Sequence, residues 1–216
     1  MLARKRVSIS LSLIVVAGWC MAAGLQVPLS REGFESAWNK GGETKPGAVV
    51  QRYYLGSRHL ATGDIDVYLS TPYARALYVS STRKSKTRAM EMESQWAKVR
   101  EASGIYVVVT TIRTPAKGFI EPTKGEPQVQ RAVIRNPGTG ETHSPSFSGR
   151  VKKGPEHDYS RSLGMNWGWL FEFDQALFDG HESIEVIVET TSHRAVIPVD
   201  RGKFLALPEN EQNATP

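Results

Sequence analysis

At 216 residues, with 40% hydrophobic and 23% charged side chains, the chain has the composition of a globular protein of one domain or two small ones; wholesale disorder and a polytopic membrane protein are excluded. The formal charge of +5 points to nucleic acid only until it is located: of the 27 Lys and Arg residues, Arg4, Lys5 and Arg6 lie in the acid-free first 24 residues, and without these three, 24 basic side chains face 22 acidic ones. The one dense basic stretch, Arg83, Lys84, Lys86 and Arg88, sits beside Glu91 and Glu93 with no interleaved aromatic rings on which bases stack, so no nucleic-acid partner is expected.

The first segment predicts export. Arg4, Lys5 and Arg6 make a positive start, Val7 to Trp19 an apolar run, and Met21-Ala22-Ala23-Gly24 presents small residues where a signal peptidase cuts, after Ala22, Ala23 or Gly24. A helix over the 18 residues from Val7 to Gly24 reaches about 27 Å, short of the roughly 30 Å hydrocarbon core of a bilayer. Ser8, Ser10 and Ser12 weaken a permanent span further. A signal peptide over 1–24 is therefore expected, giving a periplasmic or secreted protein; the alternative is an uncleaved N-terminal membrane anchor with the body outside the cytoplasm. Cys20, the single cysteine, falls in this segment, so the exported body has no disulfide framework. The bulky Trp19 just before it argues against lipid attachment.

Residues 25–47 read as a spacer, within which Ser30 to Gly42 suits a short helical turn with Phe34 and Trp38 on one face. The folded domain is expected over 48–207. It opens with a strand from Ala48 to Leu55 and a second from Asp64 to Ser70, where Ile65, Val67 and Leu69 alternate with polar neighbours. Thr71-Pro72 caps a short helix to Ser80, and Thr87 to Ala102 gives a longer one whose Met92, Trp96 and either Val99 or Arg100 share a stripe, with Trp96 expected to anchor it to a sheet. Ile105 to Ile112 is β-branched on both faces, the pattern of a strand covered on two sides.

After a long loop from Pro115 to Pro127, a strand over Val129 to Arg135 leads into the turn Asn136-Pro137-Gly138-Thr139-Gly140. Residues 141–166 read as loop with an edge strand at Phe147 to Lys152. Trp167, Trp169, Phe171 and Phe173 then alternate along a strand, followed by strands around Ile184 to Val188 and Ala195 to Val199, where Pro198 marks an edge. Residues 208–216 read as a disordered tail. About seven or eight short strands of this kind predict a mainly β fold, an immunoglobulin-like or C2-like antiparallel β-sandwich with a helical insertion at 72–102, with α+β as the fallback class.

Chemistry is sparse. His59, His143, His157, His181 and His193 include no metal-ligand pair, and His181-Glu182-Ser183-Ile184-Glu185 lacks the second histidine of a zinc helix. No Gly-x-Ser-x-Gly elbow occurs; Ser148, with His143, His157 and Asp158 nearby in the chain, is the one weak catalytic grouping. Asp64, Asp66, Glu172, Asp174 and Asp179 are candidate oxygen donors for calcium without a loop signature, Asp66 and Asp174 being more simply read as wet-face residues of strands. Trp167 and Trp169 are candidate sugar-stacking rings, with burial in the core the simpler reading.

The resulting expectation is an exported, non-catalytic envelope or secreted domain, binding or structural, that acts through contacts with an envelope or extracellular protein or a glycan and needs no cofactor. The alternatives are a secreted hydrolase with its site in the 143–158 loop and a membrane-anchored periplasmic adaptor, the only case in which a membrane is a partner.

Overall fold

A computed structural model describes residues 25, 27–60, 63–101, 103–112, 128–150, 168–178 and 183–211. The expected signal segment, the 115–127 loop, most of the 143–158 loop beyond Arg150, and residues 212–216 lie outside them. The architecture is α+β, with helices α1 (Arg31–Glu43), α2 (Pro46–Arg52), α3 (Pro72–Ser81), α4 (Ser85–Glu101), α5 (Arg201–Leu205) and α6 (Pro208–Glu211). They are set about two antiparallel sheets.

The first sheet has the order β1 (Tyr54–Leu60), β2 (Gly63–Ser70), β3 (Ile105–Ile112), β7 (Gly168–Phe173), β6 (Phe147–Arg150). The second has the order β5 (Thr142–His143), β4 (Val129–Arg135), β8 (Ser183–Thr190), β9 (Arg194–Asp200). Strand register puts Val67, Val109 and Trp169 in one cross-strand row, and Leu69, Val107 and Phe171 in the next, on a single face of the first sheet. In the second sheet Ile134, Val186 and Ile197 form the matching row. All of these side chains belong to one hydrophobic core that also takes in α1 and α3. The sheets approach at β1 and β9, where a Cβ on Gly56 would stand 2.7 Å from Ile197 Cγ2.

Helix α1 corrects the expectation of a spacer. Ser30 accepts a hydrogen bond from the Gly33 amide at 3.0 Å, and Phe34, Ala37, Trp38 and Gly41 fall on one stripe that is buried throughout. Gly41 lets α1 press against α3, because a Cβ there would lie 2.4 Å from the Leu77 carbonyl oxygen, and the Ser80 hydroxyl donates to the Trp38 carbonyl at the same crossing. Trp96 of α4 packs on Phe34 of α1, with ring centroids 5.2 Å apart, so α4 docks on a helix and not on a sheet as expected.

The expected first strand is also corrected. Pro46 sits in the first turn of α2 after an extended Lys45, and Val49 and Val50 are buried from a helix, the strand beginning only at Tyr54. The expected helix after Thr71, the strands over 105–112 and 129–135, and the Asn136 to Gly140 turn are present. In that turn Asn136 Oδ1 accepts from the Gly138 amide at 2.9 Å, and Gly140 takes φ +76°.

The start of the expected disordered tail is ordered: Pro208–Glu211 form α6, and Glu209 is fully buried. Its carboxylate accepts hydrogen bonds from Tyr53 Oη and, at 2.8 Å, from Thr71 Oγ1. Thr71 Oγ1 also caps α3 by accepting from the Ala74 amide at 3.0 Å. One buried carboxylate thus joins the chain end to the start of α3 and to the α2–β1 junction.

Candidate functional site

The core-facing rows of the first sheet leave an opposite face whose central strands are also covered. Ser57, Asp66, Thr110 and Gly168 form one row across it, and Tyr68, Val108 and Leu170 the next. A β-bulge decides which aromatic joins them. Tyr54 pairs with Tyr68 while Gly56 pairs with Val67, so the extra residue, Leu55, turns Tyr54 onto the Asp66 face; unbroken alternation would have kept it on the side of Gly56.

The result is a carboxylate set among hydroxyls and rings. Asp66 is 9% exposed, and its Oδ1 accepts a long hydrogen bond of 3.4 Å from Tyr54 Oη. The Tyr54 and Tyr68 rings are tilted against each other with centroids 5.3 Å apart. Thr110, directly across the strand pair from Asp66, is completely buried, and its hydroxyl has no hydrogen-bond partner among the described residues. Among the described residues Gly168 ends the row, without a side chain.

Lys203 stands 5.5 Å from the Tyr54 ring centroid but donates to the Tyr54 and Leu55 carbonyl oxygens, at 3.3 and 3.2 Å. Among the described residues Asp66 has no ion-pair partner. At the rim, exposed His59 contacts Asp64 through Nδ1, on the neighbouring row of the same face.

The electrostatics follow from this arrangement. Burial pushes the Asp66 carboxyl above the ordinary aspartate range, the Tyr54 hydroxyl draws it partly back, and the charge of Asp64 adds to the rise. Burial raises the Tyr68 phenol, helped by Asp66 and Tyr54, and burial first and the two aspartates after it raise Tyr54. Among the described residues no positive charge is paired with Asp66. Among the described residues the site offers a carboxylate, hydroxyls and π faces.

The other residues singled out in the sequence are dispersed. Ser148 lies exposed on β6 opposite Phe171, whereas His143 lies on β5 in the second sheet opposite Ile134, so these two are not brought together; His157 and Asp158 lie outside the described residues. Trp169 is buried, paired with Val109, with the Arg150 guanidinium 5.7 Å from its ring centroid; Trp167 lies outside the described residues. Asp64 and Asp66 are on β2. Asp174 instead caps a 3-10 turn by accepting from the Ala176 amide at 2.9 Å, Glu172 is on β7 opposite Tyr106, and Asp179 lies outside the described residues. No group of three or more metal-ligating side chains occurs among the described residues.

Sequence reasoning reached Asp66 but not Tyr54, Tyr68 or Thr110. Alternation along β2 was the available signal for Tyr68, which shares parity with Asp66. Comparison with protein-family models, with curated proteins and with solved structures finds no match to the chain.

Proposed function

We propose that the chain is an exported, non-catalytic domain of the cell envelope or the secreted fraction that binds a protein or small ligand through the Asp66 face of its first sheet. The observation that carries the binding part is a largely buried carboxylate with two tyrosine rings beside it and no counter-charge among the described residues. A purely structural strand has little reason to retain such a group, since burying an uncompensated carboxylate is costly and an apolar residue at that place is not. We read the two sheets about their shared core as a sandwich-like frame, immunoglobulin-like or C2-like in plan with helices added. Support for export is the positive start, apolar run and small-residue exit of the first 24 residues.

The test is the mass and location of the mature protein. The full chain, tagged at its C-terminus, is expressed in a bacterial host with an intact export system, fractionated, and weighed by intact-mass spectrometry. The expected product begins after Ala22, Ala23 or Gly24 and is found in the periplasm or medium. Full-mass protein in the membrane fraction selects the anchored adaptor, and full-mass protein free in the cytosol overturns export.

A further inference from the structure

We propose that the Asp66 face binds a primary ammonium group, whose N–H bonds are accepted by the Asp66 carboxylate and the Thr110 hydroxyl while the rings of Tyr54 and Tyr68 flank its charge. The inference rests on reading this face as the recognition surface of the domain. Two independent features of the site ask for the same ligand. Asp66 is largely buried with one long hydrogen bond and no ion pair among the described residues, so it lacks positive charge. Thr110 Oγ1, directly opposite on the adjacent strand, is buried with no partner among the described residues, so its lone pairs are open to a hydrogen-bond donor.

An ammonium supplies both at once. It carries three donors on a compact centre, against five in a fixed planar fork for a guanidinium, and the two acceptors here match the smaller number. Tilted tyrosine rings next to a carboxylate also favour a cation through their negative faces. A neutral sugar hydroxyl would satisfy Thr110 and leave the charge of Asp66 uncompensated. A metal ion is the poorer fit because the described residues hold no set of three ligating side chains. Tyr54 and Asp64, at the edge of this face, are both partly exposed. The ammonium group is shared by two sources, a lysine side chain of another protein and a free primary amine.

The experiment is a two-dimensional amide NMR titration of the purified protein with n-butylammonium, a lysine-centred blocked tripeptide, tetramethylammonium, n-butanol and methyl β-glucoside. Butylammonium and the peptide are expected to shift the Asp66, Thr110 and Tyr54 amides saturably, tetramethylammonium more weakly, and butanol not at all. Tighter binding of the peptide by about tenfold or more assigns the source to protein, and equal binding assigns it to free amines. Asp66→Asn should weaken butylammonium binding by about tenfold or more, while Asp64→Asn, which removes a neighbouring charge of the same sign, should change it much less.

If Asp66→Asn does not fold, Thr110→Val removes the hydroxyl at nearly constant shape and should still weaken binding. Equal losses in the Asp64 and Asp66 variants, or saturable shifts with the glucoside and none with butylammonium, overturn the ammonium assignment and leave the face a recognition surface. No shift of these amides with any of the five probes overturns both.

Discussion

Glu209 is the residue whose replacement tests the fold most sharply, because its burial was invisible to composition and its consequences have a definite sign. Burial raises its carboxyl above the ordinary 4.5, while the Tyr53 and Thr71 hydroxyls and the charge of Lys40 hold the rise back without cancelling it. The folded protein therefore grips this proton more tightly than the unfolded chain. The stabilisation is complete below the unfolded value of 4.5 and is lost as the pH rises through the folded one, with a slope of at most about 1.4 kcal/mol per pH unit.

Glu209→Gln cannot ionise and keeps the shape, so its stability relative to the native chain should improve as the pH is raised from about 4.5 to neutrality. Glu209→Ala removes the acceptor of the buried Tyr53 hydroxyl, at about 1–3 kcal/mol, and leaves a small cavity worth about 1 kcal/mol, for a total near 2–4 kcal/mol. Urea unfolding across that pH range, followed by tryptophan fluorescence with the m-value checked for constancy, reads both effects. An advantage of the native chain over Glu209→Gln that grows with pH would mean instead that the carboxylate is the favoured form in the core.

Trp38→Ala should cost about 3–5 kcal/mol in urea unfolding, because the side chain is buried between α1 and the core; a loss under about 1 kcal/mol would return residues 31–43 to the status of a spacer. Gly41→Ala, an exchange that ordinarily favours a helix, should instead destabilise by about 1–3 kcal/mol, as the new methyl meets the Leu77 carbonyl 2.4 Å away; thermal melts that rise would contradict the close α1–α3 crossing. Glu185→Gln breaks the Arg135 ion pair on the partly exposed side of the second sheet and should change stability by no more than about 1 kcal/mol, an effect reduced further at high salt.

The parts of the fold legible in the sequence were those whose burial is a local matter. Ile65, Val67 and Leu69 alternate as a strand must, Thr71-Pro72 carries both the cap and the first-turn proline of α3, and the β-branched run from Ile105 to Ile112 marks a strand covered on both faces. Val49-Val50 misled because β-branched pairs favour strands by propensity, whereas Pro46 and the need to bury both valines from one short helix decided the matter. The polar run after Pro208 has the composition of a tail, and what orders it are partners 156 and 138 residues away in Tyr53 and Thr71, which no local window contains.

The candidate site divides in the same manner. Asp66 stands out as a charge in an apolar strand, and its simplest reading is a wet-face residue. Two facts of strand register give it a different character: the bulge at Leu55, which turns Tyr54 towards it, and the pairing with β3, which sets Thr110 opposite. Register between β2 and β3 is set by packing of the whole sheet, so Thr110 as the neighbour of Asp66 was beyond reach of the sequence.

Recognition at this face depends most on Asp66 being a carboxylate that burial has left without positive compensation among the described residues. Carbon-detected NMR of its side-chain carboxyl as a function of pH measures this directly in the ligand-free protein. The midpoint should lie above the 3.8 of an ordinary aspartate, since burial opposes the charge and Asp64 adds to that opposition. A midpoint below it would mean that the carboxylate is already stabilised within the fold, and the case for a recognition site there would be lost.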